Sequence, residues 1–335
     1  MKKIILLLVF LAFFSHGFSQ TIHSPDEILK IMMDSKFSYE IKKLEKTIEC
    51  KDYSERLITH DYYRVVSDSG LFTKEITINE KAKPLFEKAE YYFQKNKLDS
   101  AITFYQLSLS ADSSIYTVMT YIGQVFEKIG DNNNAILWYK KAISKNYIDY
   151  MAHWFLADAY LNANNLKDAV DEIVIAQILN RNNPRIKKSF TNIFEKAKRN
   201  TDDWCFNPQI ELIKESDTKA SVAFNEKWTG YAMAKALWTF EPGYKESMGV
   251  TNGYSTLEDK ECLIALLIAL ENAKISINDE PQLKILKDAA MNKYLQEYII
   301  YEIVLPQSPF VAYQLPEQTI LNIKNYILNF RNTMK

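Results

Sequence analysis

The chain has 335 residues, 47% of them hydrophobic and 25% charged, the balance of a folded globular protein. Its formal charge of −1 excludes both the basic field that nucleic acid requires and a strongly acidic tail. Only 8 glycines occur, too few for the turns of a sheet-rich protein of this length, so the expected fold is mainly all-α.

MKKIILLLVFLAFFSHGFSQ opens with two lysines and an apolar run from Ile4 to Phe14. As a helix that run rises only about 16 Å, short of the roughly 30 Å of a bilayer core. With small Gly17 and Ser19 ahead of Gln20, residues 1–19 read as a secretory signal cut before Gln20. Losing Lys2 and Lys3 takes the formal charge from −1 to −3. No later apolar run is long enough to span a membrane. The mature chain is therefore expected outside the cytoplasm, in the periplasm, with outer-membrane-associated or extracellular placement as alternatives. Cys50, Cys205 and Cys262 are an odd set for a compartment in which disulfides persist. Cys262, inside ECLIALLIAL, reads as a small buried thiol.

Residues 20–80 form an N-terminal segment of helix and hairpin. Ser24-Pro25-Asp26-Glu27 gives an N-cap, a proline at the first helical position and an acid that closes a capping box. A second helix is expected over about 38–57. YYRVVSDSGLFTKEITI, 62–78, is β-rich around SDSG and predicts a small hairpin, after which Asn79 caps the next helix.

Residues 81–200 repeat at a fixed offset of 34. Ala101, Ala135 and Ala169 align, as do Tyr105, Tyr139 and Ile173, and Ser108, Ala142 and Ala176. Half a unit earlier, Ala89, Gly123 and Ala157 align, followed by Tyr92, Phe126 and Tyr160. Asn96, Gly130 and Asn164 fall at the turns, where left-handed backbone follows a helix. Small residues stand where helices approach closely, and aromatics where a gap needs filling. Over 82–183 this pattern resembles the tetratricopeptide repeat, a unit of 34 residues and two antiparallel helices. Ile122, Gly123, Phe126, Ala135, Tyr139 and Ala142 occupy its signature positions. The first unit departs from it with Lys88 where leucine is usual, and the proline near a unit's end is displaced to Pro184. RIKKSFTNIFEKAKRN, 185–200, keeps the helical spacing without a paired alanine and reads as a capping helix.

Residues 201–335 lose the period and read as an α-rich C-terminal domain. NPQIELIKESDTKASVAF is ambiguous between strands and a helix. Helix start signals then open KWTGYAMAKALWTF, TLEDKECLIALLIALENAK from Thr256, PQLKILKDAAMNKYLQEYIIYEIVL from Pro281, and PEQTILNIKNYILNF from Pro316.

Chemistry is poorly represented. The mature chain keeps His23, His60 and His153, with no H-E-x-x-H, C-x-x-C, G-x-S-x-G or P-loop, so no catalytic, metal or cofactor residues are assigned. Gly243, Gly249 and Gly253 read as turn residues. His153 reads as a packing histidine. Trp228, Trp238, Phe240 and Tyr244 could stack on a sugar, but helix-spaced aromatics are more often core. The reading leans away from an enzyme.

Binding follows from the resemblance, which places ligand contacts on the concave face lined by the first helix of each unit. With units starting at 82, 116 and 150, the inward positions hold Lys83, Phe86, Glu90 and Phe93; Thr117, Thr120, Gln124 and Glu127; and Met151, Trp154, Asp158 and Leu161. Trp154 and the phenylalanines would grip an extended segment while Glu90 and Asp158 select cations. Family members that hold a free carboxyl terminus use Lys, Asn and Arg on these faces. Here Glu90, Gln124 and Asp158 would meet it with like charge, so a neutral or basic segment is the expected partner. The expected function is a secreted, non-catalytic scaffold for protein–protein interaction. The alternative is a cell-envelope hydrolase of glycan or peptide with its site in the C-terminal domain.

Overall fold

A computed structural model describes residues 22–67, 70–250 and 255–334. The expected signal over 1–19, the turn residues Asp68 and Ser69, and Gly253 lie outside the described residues. In chain order the elements are α1 (Pro25–Asp34), β1 (Ser38–Lys43), β2 (Tyr62–Ser67) and β3 (Gly70–Glu75). Six helices follow as α2 (Lys83–Gln94), α3 (Leu98–Ala111), α4 (Thr117–Ile129), α5 (Asn132–Lys145), α6 (Tyr150–Asn162) and α7 (Leu166–Leu179), then α8 (Pro184–Lys196). Next come β4 (Ile210–Ser216), β5 (Lys219–Phe224), α9 (Thr229–Phe240), α10 (Tyr244–Ser247), α11 (Thr256–Asn272) and α12 (Pro281–Met291). The chain ends in α13 (Leu295–Tyr298), α14 (Leu305–Gln307) and α15 (Glu317–Tyr326), with π-helical turns at Ile299–Val304 and Ile327–Arg331. Among the described residues no helix is long and apolar enough to cross a membrane.

The fold is mainly helical, and its contacts divide it into two compact units that do not follow the linear order of segments. One unit joins the described residues up to Cys50 with Phe206–Lys287; the other joins Lys51–Cys205 with Asp288–Lys335. The stretch 201–335 is thus shared between two units instead of forming one domain. Its last part belongs with the repeats because its apolar side chains cover a repeat helix, as described below. Cys50 and Cys205 are disulfide-bonded, and Cys262 is free and buried.

In the repeat-bearing unit, α2–α3, α4–α5 and α6–α7 are three successive antiparallel helix pairs, and α8 packs on α7. The residues that share the 34-residue offset share their surroundings. Ala101, Ala135 and Ala169 are each 0% exposed, as are Ala89 and Ala157 half a unit earlier. Tyr105, Tyr139 and Ile173 are buried at equivalent places on the second helices. At Gly123 a Cβ would stand 2.5 Å from the Tyr139 ring, so the glycine is what lets α4 and α5 close. Asn96, Gly130 and Asn164 all take left-handed backbone, with φ of 57°, 89° and 59°. Each turn thereby ends the first helix and starts the second with the same geometry.

The helix starts are less uniform: the N-cap residues of α2, α3 and α4 make no side-chain cap bond. Asn79 accepts from the backbone N–H groups of Lys81 and Ala82 ahead of α2. Asp131, Asp149, Asn165 and Asn183 cap α5, α6, α7 and α8. Lys88 stands where α4 has the fully buried Ile122, but no earlier pair covers it, and its ammonium lies 4.3 Å above the Phe104 ring. A long stem with a charged tip can cover an apolar end and still meet water, which accounts for the departure from leucine.

The far end is closed differently. On α8, Ile186, Phe190, Ile193 and Phe194 face inward while Lys187, Lys188 and Glu195 stay exposed, as a terminal capping helix requires. The outer side of α7 is covered by α15, with Lys324 Nζ 3.1 Å from Asp171. Ile175 is 5% exposed there, whereas Leu107, its equivalent on α3, is 45% exposed. Beneath this cover the buried Glu302 accepts from Tyr326 Oη at 3.0 Å and lies 3.0 Å from Arg331 Nε and 3.8 Å from an Arg181 nitrogen. The hairpin β2–β3 forms as expected, Tyr62 opposite Glu75, and Arg64 donates to the carbonyls of Tyr313 and Leu315.

The other unit holds a three-stranded sheet in the order β1-β5-β4, packed on by α9, with α1 and α11 against α9. Ser24 and Glu27 form the expected capping box of α1. The second helix expected over 38–57 is absent. Ser38–Lys43 is a strand, paired in parallel with β5 so that Tyr39 meets Ala220 and Ile41 meets Val222. Its alternating apolar side chains suit a strand, and the pairing partner lies far away in sequence. NPQIELIKESDTKASVAF resolves as the hairpin β4–β5. The four later helices start close to their signals, although Ser255 rather than Thr256 caps α11, and left-handed Lys293 breaks the run expected from Pro281.

Adding a methyl group at Gly123 by Gly123→Ala should separate α4 from α5 and cost about 1–3 kcal/mol. Thermal denaturation is expected to show a midpoint several degrees lower; an unchanged midpoint would mean that this close approach does not bear on stability.

Candidate partner-binding face

The first helices of the pairs lie side by side, α4 against α6 and α6 against α8. The expected inward residues divide into two groups along this face.

The first group sits on α2 and α4. Phe86 is half-buried, its ring 6.0 Å from Tyr105 and 5.7 Å from Tyr121. Glu90 accepts a hydrogen bond from Tyr105 Oη. Phe93 is half-buried beneath Lys128, whose ammonium stands 4.7 Å from the ring. Gln124 is half-buried beside them in the helix sequence. Lys83 is exposed at the margin.

The second group spans α4, α6 and α8. Glu127 accepts from Tyr139 Oη at 2.8 Å. Trp154 stacks on Phe155 at 5.0 Å and donates through Nε1 to Ser189 Oγ at 2.8 Å, and Ser189 donates on to Asp158 at 3.3 Å. Met151 and Leu161 are half-buried on the same helix. Burial pushes the Asp158 carboxyl up to about 6, and the nearby charge of Glu127 adds to the shift. Burial also raises Glu127, against the stabilising hydrogen bond from Tyr139.

Two expected residues do not belong to the face. Thr120 is 0% exposed, and its hydroxyl donates to Asp149 at 2.7 Å, so it is unavailable to a partner. Thr117 is likewise buried. Position alone put Thr120 in line with Phe86 and Trp154, but Asp149, the N-cap of α6, reaches back to it. Three contributors were not read as functional in the sequence: Tyr105 and Tyr139, whose hydroxyls anchor the two glutamates, and Ser189, which joins Trp154 to Asp158. The tyrosines recur at the repeat offset, which marks their position and not the direction of their hydroxyls.

His153 is 1% exposed and held between Glu172 at 2.6 Å and the Tyr147 carbonyl at 2.9 Å, as a packing histidine. Trp228, Trp238 and Tyr244 are buried, so they form core and offer no stacking surface for a sugar. Beside them Glu261, 0% exposed, is hydrogen-bonded by the His23 backbone N–H at 2.8 Å and by Trp238 Nε1 at 2.6 Å. Tyr244 Oη at 2.9 Å and the His23 ring at 3.0 Å complete its shell. A carboxylate so fully engaged organises the core of its unit.

The tetratricopeptide repeat family model matches residues 82–115 and 118–144. The chain therefore carries tetratricopeptide repeats. No curated protein matches. Among solved structures, the first TPR of Spaghetti bound to an HSP90 peptide is 21% identical, covering 36% of this chain and 98% of its own, with a TM-score of 0.35. The type III secretion chaperone SycD of Yersinia enterocolitica with a YopD peptide is 19% identical over 36% of this chain and 96% of its own, with a TM-score of 0.33. A TPR repeats protein from Bacteroides fragilis is 14% identical over 75% of this chain and 98% of its own, with a TM-score of 0.28.

The raised Asp158 has a definite sign in stability. Its folded pKa of about 6 lies above the unfolded value near 3.9, so its ionisation opposes folding as pH rises from about 4 through 6. Asp158→Asn keeps an acceptor for Ser189 and removes that cost. It is expected to stabilise the protein by roughly 1–2 kcal/mol at pH 7.5, after discounting for partial exposure, and to change little at pH 4. Denaturant melts at the two pH values check this, and equal effects at both would refute the assignment.

Proposed function

We propose that this protein is a secreted, periplasmic scaffold that binds a neutral or basic segment of another protein on its first-helix face and catalyses no reaction. The observation that carries the reading is the half-buried pair Glu127 and Asp158 beside Trp154. Each carboxyl is raised by burial, and Glu127 adds its charge to that of Asp158. A lysine or arginine brought by a partner relieves that repulsion and favours the charged form of both carboxylates. Trp154 beside them, and Phe93 and Phe86 in the other group along the face, supply apolar area, the combination that holds an extended chain by side-chain burial with charge setting the choice.

Placement outside the cytoplasm is supported by the leader-like sequence of residues 1–19 and by disulfide bonding at Cys50 and at Cys205, since such bonds persist in oxidising compartments.

Crosslinked co-purification of the mature chain from an envelope fraction identifies the partner. Trp154→Ala combined with Phe93→Ala is expected to lower its recovery at least tenfold, with the repeats still folded by circular dichroism. In competition, basic peptides should displace it better than acidic ones, with an advantage that shrinks as salt rises. Acidic C-terminal peptides winning that competition would sink the proposal.

A further inference from the structure

The repeat-bearing unit contains a cleft of about 420 Å³ lined by residues 56–60 and Tyr62, with Gln307, Pro309 and Phe310. That volume is in the range that takes small organic molecules. Its apolar lining is made of Leu57, Pro309, Phe310 and Tyr62, and the Tyr62 ring meets Phe310 edge-on at 5.0 Å. Its polar lining is made of Arg56, Thr59, His60 and Gln307.

The lips of the cleft are fixed by the fold. Asn182 Nδ2 donates to the Arg56 carbonyl at 3.1 Å and to the Pro306 carbonyl at 2.9 Å, tying the two strands of backbone together. Asn146 Nδ2 donates to the Tyr62 carbonyl at 2.7 Å, and Ile58 exchanges backbone bonds with the Asn180 amide. A site held in this way needs little ordering when a ligand enters. No carboxylate is among its lining residues. Arg56 stacks 5.1 Å from the Tyr53 ring and donates one N–H to the Gln307 carbonyl, a neutral acceptor that leaves its charge uncompensated. His60 keeps its Nδ1 within 3.2 Å of Thr59 Oγ1.

We propose that this cleft binds a small monocarboxylate with an aromatic or branched apolar body. The acid group meets the Arg56 guanidinium, whose planar fork suits a carboxylate, with Thr59 and His60 as further donors. The body lies on Phe310, Tyr62, Pro309 and Leu57. This chemistry occurs both in free organic acids and in the C-terminal residue of a peptide. The site is separate from the first-helix face, and neither proposal depends on the other.

Isothermal titration of the full mature chain with 3-phenylpropanoate tests it, with 3-phenylpropan-1-ol as the neutral counterpart. A third arm uses the tripeptide Ala-Ala-Phe, acetylated at its N-terminus, as free acid and as C-terminal amide. Saturable one-to-one binding of 3-phenylpropanoate is expected, at least tenfold tighter than the alcohol, and reduced at least tenfold by Arg56→Gln. Arg56→Lys retains the charge and stem but not the fork, and is expected to bind at an intermediate level with an unchanged thermal midpoint. Phe310→Leu should weaken the acid and the alcohol alike. A tripeptide acid that binds tighter than 3-phenylpropanoate, with its amide inactive, assigns the site to peptide C-termini; a weaker one assigns it to free acids. Absence of saturation at about 5 mM, equal binding of acid and alcohol, or full binding by Arg56→Gln would overturn the proposal.

Discussion

The repeat-bearing unit depends on one steric condition, that two helices of each pair come close enough for their apolar sides to exclude water. Ala101, Ala135 and Ala169 on the second helices, and Ala89, Gly123 and Ala157 on the first, supply that condition three times. A single pair has too little apolar surface to offset the entropy of ordering some thirty residues. Stacked pairs share their buried sides, so each small residue matters both within its own pair and to its neighbours. Tyr105 and Tyr139 then fill the space that the small residues leave, and their hydroxyls emerge at the first-helix face against Glu90 and Glu127. The packing requirement and the chemistry of the face thus meet in the same two side chains.

The face combines features that are individually ordinary. Half-buried aromatics occur on many helices, and acids are common in any helical protein. What distinguishes this arrangement is that Glu127 and Asp158 share a partly desolvated place while their recorded hydrogen bonds come from neutral hydroxyls, those of Tyr139 and Ser189. Neutral donors steady a carboxylate without cancelling its charge. Two other buried acids are held differently: Glu302 has arginines beside it, and Glu261 is enclosed by a tryptophan, a tyrosine and a histidine. Those two hold their units together, whereas the charge of the Glu127 and Asp158 pair is left to be met from outside.

Much of this was legible in the sequence where contacts are local. A helix pair is decided by residues within one period, so the offset of 34 located Ala101 and Gly130 correctly, and the turn residues took the left-handed backbone their types favour. Strand β1 was not legible, because Tyr39 and Ile41 acquire meaning only when β5 lies beside them, more than 170 residues later. The same limit explains the grouping of residues 288–334 with the repeats, which rests on contacts such as Lys324 with Asp171. At the face, positions could be read but hydroxyl directions could not. Phe86, Thr120 and Trp154 are equivalent in the repeat, yet Thr120 is claimed by Asp149, the N-cap of α6.

The two ends of the stack are unlike, and this gives the unit a mechanical polarity. Beyond α7 lie α8, α15 and the buried Glu302 with its arginines; at the other end the described residues ahead of α2 add Ile76 and Ile78 to the core, and Lys88 on α2 shades the Phe104 ring. Fluctuations in a linear array start where neighbours are fewest. The pair α2–α3 is therefore the fraying end, and the surface around Glu127, Trp154 and Asp158 sits toward the end that is anchored. A chain gripping the whole face would meet a yielding first repeat and a firm third one, and its binding would tighten the stack from the loose side inward.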